Sequence, residues 1–246
     1  MSGERESRTL GQVGVDTRPR FGSFWLRRLH SLSGIVPLGA FLGVHLWTNA
    51  TAPRGRACFD HAVAGLAALP ALPLIEVTLI LLPLAFHALV GVALTLESRP
   101  NVARYGYGHN WMYLLQRVTG LLALAFVLVH LGDFWLLKVT GRLPWQNFFD
   151  ELGRQLGNRW KALVYLFGTT ACVFHFVNGL RTFAFAIGLT PSARARRMTA
   201  YAVAALGSLL WLLGAETVVF FATGGAAHLP TSFVRGESGR DLCEDA

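Results

Sequence analysis

Residues 111–138 read WMYLLQRVTGLLALAFVLVHLGDFWLLK. From Val118 to Leu137 this run holds one acid and one histidine; everything else is apolar, glycine or threonine. A helix of about 20 such residues covers the roughly 30 Å hydrocarbon core of a bilayer. Lipid offers no partner to a bare backbone N–H or C=O, so a segment of this kind is helical. Four more stretches of the same character lie at about 29–49, 72–96, 159–189 and 198–223. The pattern predicts an all-α integral membrane protein with five transmembrane helices.

Composition agrees. Of 246 residues, 53% are hydrophobic and only 15% are charged, where a soluble domain carries roughly 25%. Residues 1–23 form a polar arm without the apolar core of a signal peptide. Residues 24–223 are the membrane domain and 224–246 a glycine-rich, then polar, tail. The stretch PWQNFFDELGRQLG at 144–157 predicts an amphipathic surface helix with Trp145, Phe148, Phe149 and Leu152 toward lipid.

Eleven Lys and Arg fall on the side of the arm and of the 97–110 and 190–197 loops, against nine on the other. The positive-inside rule then expects a cytoplasmic N-terminus and an external C-terminus. The net charge of +8 reads as topology and anionic-lipid contact, and no soluble basic domain is left to bind nucleic acid. Cys58, Cys172 and Cys243 make no CxxC, CxxCH or iron–sulfur spacing, which excludes covalent haem and an intrinsic cluster.

Four of the eight histidines fall inside spans, one per helix: His45, His87, His130 and His175. Any one alone is equally well read as a hydrogen-bonding group between helices. Four, mostly without an intramembrane carboxylate or lysine beside them, suit iron ligation, since a six-coordinate haem takes one imidazole from each face. At about 1.5 Å per residue, His45 lies past the middle of an outward-running helix, and His130 falls at nearly the same level. His87 belongs to the inner half, and His175, near the centre of its span, pairs with it partly by elimination. The expectation is two b haems stacked across the membrane: His45 with His130 outside, His87 with His175 inside.

Local sequence follows the same pairing. GVHLW and LVHLG share a Val-His-Leu core, whereas AFHALVG and VFHFVNG share Phe-His-x-x-x-Gly. Gly91 and Gly179 stand one turn from their histidines on the same face, where a side chain would press on a macrocycle; small-residue helix contact uses the same pattern. Arg117 with Gln116, and Arg181, are candidates for haem propionates, with lipid phosphate as the competing partner. His30, Ser31 and Ser33 are secondary candidates there.

These stretches resemble the single-subunit, five-helix, di-haem cytochrome b anchor of succinate dehydrogenases and fumarate reductases. The likeness runs through RRLHSLSGIVPLGAFLGVHL (27–46), LPLAFHALVGV (82–92), NWMYLLQRVTGL (110–121), FVLVHLGDFW (126–135) and FHFVNGL (174–180). The resemblance implies His45 and His130 on the distal haem and His87 and His175 on the proximal one. It implies a flavoprotein partner with covalent FAD and an iron–sulfur partner, both on the cytoplasmic face of a bacterial inner membrane. It also implies a quinone, menaquinone in this subfamily, near the outer haem. The chain itself is then a non-catalytic electron-transfer subunit of the respiratory complex. Asp133, Asp60 and His61 are candidates for the quinone site. Some relatives place a glutamate two residues before the fourth-helix histidine for a proton path; here that residue is Val173. The rival readings are a di-haem anchor of a hydrogenase or formate dehydrogenase, a histidine-relay proton or metal transporter, and an anchor that has lost haem.

Overall fold

The computed structural model describes residues 24–225. The expectations for the arm 1–23 and for the tail beyond Gly225 lie outside the described residues. Among the described residues the regular elements are all helical. Five helices are long and apolar enough to cross a bilayer: α1 Phe24–Arg54, α3 Leu72–Leu96, α4 Gly108–Val139, α6 Arg159–Ala186 and α7 Ala193–Ala222. Two shorter helices, α2 Arg56–Ala67 and α5 Phe148–Leu156, lie in the connections at one end of the bundle.

Two of the long helices begin earlier than hydropathy alone predicts, because their basic first turns find partners. Arg28 of α1 donates to the Ala186 carbonyl at the end of α6. Arg27 stands 3.9 Å from Glu97 at the end of α3. In α7 the Ser192 hydroxyl caps the helix by accepting from the Ala195 N–H at 3.1 Å, which carries the helix back through Arg194, Arg196 and Arg197. Proline interrupts the hydrogen-bond ladder elsewhere. α1 breaks at Val36, just before Pro37. α3 opens into a π-helical stretch at Glu76–Leu81, ahead of Pro83, whose ring excludes a normal turn. A second π stretch, Leu131–Trp135, follows His130 directly.

α6 packs against both α4 and α7, while α1 packs against α3, α6 and α7. Lipid is as apolar as a side chain, so helices in a bilayer gain from close fit rather than from the hydrophobic effect. Glycine supplies the fit here. A Cβ on Gly168 would overlap the Phe126 ring of α4, and one on Gly214 would stand 2.6 Å from Thr169. The Trp211 indole N–H donates to Thr170 Oγ1 at 2.9 Å, tying α7 to α6. Large apolar side chains such as Leu89 and Phe167 point outward, 74% and 72% exposed, as a lipid-facing surface requires.

The main apolar core sits at the end where α2 and α5 lie, and joins Phe59, Val63, Leu152, Leu156, Tyr165 and Phe221. This corrects the lipid-facing expectation for 144–157. Leu152 is buried, and Trp145, Phe148 and Phe149 pack against the same cluster. Tethered tightly between α4 and α6, α5 covers the ends of α6 and α7 with its apolar stripe instead of the membrane. His61, between the first two spans, lies on the helix α2, which buries Cys58, Phe59 and Val63 on one face. Arg56 of α2 pairs with Asp150 of α5, and the hydrogen bond from Arg56 holds the Asp150 carboxyl below its ordinary value. Cys58 takes part in a disulfide, whereas Cys172 is free.

Gly168→Ala, which forces Phe126 to move, should lower the thermal unfolding midpoint of the purified protein by the equivalent of about 1–3 kcal/mol. Gly43→Ala meets nothing within 4 Å and should leave the midpoint unchanged in the same detergent.

Candidate functional site

The four intramembrane histidines come together as two cross-helix pairs. His87 of α3 and His175 of α6 have ring centroids 6.0 Å apart, and their planes are at 86°. His45 of α1 and His130 of α4 are 5.5 Å apart at 77°. Each pair joins two membrane helices that are not consecutive in the chain, α1 with α4 and α3 with α6.

In the His87–His175 pair, the main chain orients both rings. His175 Nδ1 lies 3.0 Å from the Gln116 carbonyl, and His87 Nδ1 lies 2.9 Å from the His30 carbonyl. A carbonyl only accepts, so each ring donates through Nδ1–H and keeps the lone pair on Nε2 for a further ligand. Metal-binding histidines are held in this manner, with the second nitrogen fixed by a main-chain acceptor. The bond at His175 is returned, for Gln116 Nε2 donates to the His175 carbonyl at 3.0 Å. Buried Asn178 completes the network, donating to Gln116 Oε1 at 2.7 Å and to the Met112 carbonyl at 3.2 Å.

The His45–His130 pair is set differently. The His130 ring lies among Phe126, Phe134 and Tyr165, with centroids 5.4 to 5.9 Å away. Its Nδ1 is buried without a hydrogen-bond partner among the described residues. One turn along α4, Asp133 is held from α6 by Lys161 Nζ at 2.8 Å and by the Tyr165 hydroxyl, which donates at 2.7 Å. A second cross-helix ion pair, Lys138 with Glu76, joins the last turn of α4 to the π-helical stretch of α3.

These residues fit haem ligation. Each pair would offer a haem iron one imidazole nitrogen from each of two helices. The rings stand 6.0 Å apart in the His87–His175 pair and 5.5 Å apart in the His45–His130 pair, the latter among aromatic side chains. A Cβ on Gly34 would run into the His87 ring, and one on Gly120 would stand 2.8 Å from His175.

Gly91 of α3 faces His30 of α1, and Gly179 of α6 faces Gln116 of α4. A Cβ on Gly91 would meet His30 Nε2 at 3.1 Å, and one on Gly179 would meet Gln116 Nε2 at 3.2 Å. His30 itself stacks on His87 at 4.1 Å and 13°, a role beyond the propionate contact expected for it. Ser33 Oγ donates to the His30 carbonyl at 2.8 Å. Arg117 lies over the Tyr113 ring, and Arg181 donates to Asn178 Oδ1 at 3.3 Å. Both line one cavity together with Gln116.

At the opposite end, Asp60 and His61 lie on α2, His61 exposed. Asp60 is raised from its ordinary value by burial, against the pull of Arg56. Sequence reasoning missed Lys161, Tyr165, Gly34 and Gly120. No motif marks them, because each matters only through a helix distant in the chain.

A raised carboxyl loses stability as pH climbs through its folded value, since ionising it is harder in the folded state than in the unfolded one. Asp60→Asn removes that loss. Its unfolding midpoint should match wild type near pH 4, the ordinary carboxylate value, and exceed it at neutral pH.

A family model described as the succinate dehydrogenase/fumarate reductase transmembrane subunit matches residues 95–214. The chain is also similar to the succinate dehydrogenase cytochrome b558 subunit of Bacillus subtilis (strain 168). The two are 34% identical over 198 residues, which cover 80% of this chain and 96% of that protein. With five membrane helices and a match that spans nearly the whole of that relative, the chain belongs to the family of succinate dehydrogenase/fumarate reductase transmembrane subunits.

Proposed function

We propose that this subunit carries electrons between an iron–sulfur partner and a quinone through two b haems. His87 and His175 would ligate one, and His45 and His130 the other. The observation that carries the reading is the pair of cross-helix histidine couples, one with both rings turned so that Nε2 is free. Bound there, the haems supply reversible one-electron transfer. The protein supplies the rest. The Gln116 and His30 carbonyls fix ring orientation, and Arg117 and Arg181 stand ready for propionate charge.

The quinone, menaquinone by the family likeness, would bind near His45 and His130. Asp133 is the group to exchange its protons there. It is held at the membrane edge by Lys161 and Tyr165, within a helix from His130, and a carboxylate so placed can pass a proton between solvent and a quinone oxygen. Asp60 and His61 on α2 are further from this arrangement in chemistry: Asp60 answers to Arg56 and Asp150. Val173 is buried against Leu46 and Leu210, and so that stretch of α6 offers no carboxyl for a proton path.

The flavoprotein and iron–sulfur subunits would dock on the cytoplasmic face, at the end of the bundle with the 97–107 and 187–192 connections. Two features support a cytoplasmic N-terminus: the excess of Lys and Arg on that side, and the disulfide at Cys58 on the other, which suits an oxidising compartment. Membership of this family sets aside the transporter and the hydrogenase-type anchor.

The purified complex should contain two haems per copy of this chain, with b-type bands in its reduced-minus-oxidised spectrum. His175→Ala should bring the ratio to about one and weaken quinone-linked succinate oxidation by at least about 100-fold; an unchanged ratio would sink the assignment. Asp133→Asn should keep both haems and slow quinone turnover by roughly 100-fold or more, the usual size of a lost proton-transfer group.

A further inference from the structure

The contact of His30 with His87 belongs to a pattern that two helices share. HSLSG at 30–34 of α1 and HALVG at 87–91 of α3 are both His-x-x-x-Gly. In each, histidine and glycine stand one turn apart on the same face. The two faces meet in reverse order, as antiparallel helices require, so each histidine lies opposite the other helix's glycine. A Cβ on Gly34 would run into the His87 ring, and one on Gly91 would stand 3.1 Å from His30 Nε2. Two glycines thereby admit two rings into one interface. The rings stack with centroids 4.1 Å apart and planes 13° from parallel.

This stack removes a freedom that the main-chain bond leaves. His87 Nδ1 donates to the His30 carbonyl at 2.9 Å, with Ser33 Oγ 3.3 Å away. A single hydrogen bond at a ring edge fixes where Nδ1 sits, but the ring still pivots about the N–H···O line. A flat ring lying against its face stops that pivot. Ser33 Oγ donates to the same carbonyl at 2.8 Å and steadies it. His87 is therefore held at an edge and on a face, both from α1. A propionate contact leaves His30 less well explained. Its face lies on His87, its Nε2 lies against Gly91, and it does not line the cavity that gathers Arg99, Arg117, Arg181 and Arg196. Ser31 is turned to the Arg27 carbonyl.

We propose that His30 is a positioning residue for the haem of His87 and His175: its stacked ring sets the plane of the His87 imidazole, and Gly91 provides the space. The inference rests on the haem reading of that pair. The planes of His87 and His175 stand at 86°, and this mutual angle is what the stack preserves. Groups that orient a ligand in this way tune both the hold on the metal and its potential. The contact is made by the face of the ring, so another flat ring of similar size serves as well.

The test compares the intact wild-type complex with His30→Ala, His30→Phe and Gly91→Ala by haem count, low-temperature ferric EPR and redox titration. The largest g value of a bis-imidazole haem depends on the angle between its ligand planes and falls as they turn toward parallel. His30→Ala should keep two haems per chain and leave the signal of the His45–His130 haem unchanged. The other signal should broaden and move to lower g, and its midpoint potential should shift. Haem loss from that site to excess apomyoglobin should be about 10-fold faster. His30→Phe should restore signal and potential, because phenylalanine stacks without hydrogen bonding. Gly91→Ala, which pushes His30 from its place, should give the His30→Ala spectrum in weaker form, and it carries the test if His30→Ala fails to assemble. Two haems with an unchanged spectrum in His30→Ala, or in Gly91→Ala where that variant stands alone, overturn the proposal. So does a spectral change that phenylalanine does not rescue, which would give His30 a polar task such as a propionate contact. A wild-type complex without haem at His87 and His175 would undo the haem reading, and this inference with it.

Discussion

The bond from His175 Nδ1 to the Gln116 carbonyl, returned from Gln116 Nε2 to the His175 carbonyl, holds the centre of this molecule. It joins α4 and α6 without an ionised group, which a bilayer interior would penalise. It fixes the azimuth of both helices and thereby the direction of the imidazole. Asn178 is then explained, since its amide bonds Gln116 from one turn further along α6. The phrase VFHFVNGL reads as one device: a ring, a brace and a glycine that leaves space for Gln116.

Around that bond, lipid decides how the helices approach. Without water to expel, association relies on contact, and contact requires small residues where backbones or rings come close. Gly168 and Gly214 serve α6 on two sides, toward α4 and toward α7. Gly34 and Gly120 serve the histidines. The two ends of the bundle then diverge. One is closed by an apolar core under α2 and α5 with carboxylates tied to lysines; the other remains open and arginine-lined.

Much of this was legible beforehand. Five spans follow from hydropathy because a bilayer demands uninterrupted apolar helices. Helical rise, which converts residue count into level, sets His45 beside His130 and puts His87 in the inner half, while His175, near the centre of its span, joins His87 partly by elimination. α5 shows why a pattern can be right and its direction wrong. Its amphipathicity predicts a helix at the surface, but the pattern does not say whether lipid or protein covers the apolar stripe, and two short tethers turn it onto α6 and α7.

The sequence by itself determined the class of the molecule, the number of crossings and the level of each histidine, because hydrophobic length and helical rise are local properties. Only the tertiary structure decided which carbonyl holds each ring, that His30 stacks on His87, that Asp133 answers to Lys161 and Tyr165, and that four arginines from distant segments share one cavity. Those contacts depend on the rotation of one helix about its axis relative to another. Rotation is set by the sum of many packing contacts across the bundle, and no single stretch of chain carries that information.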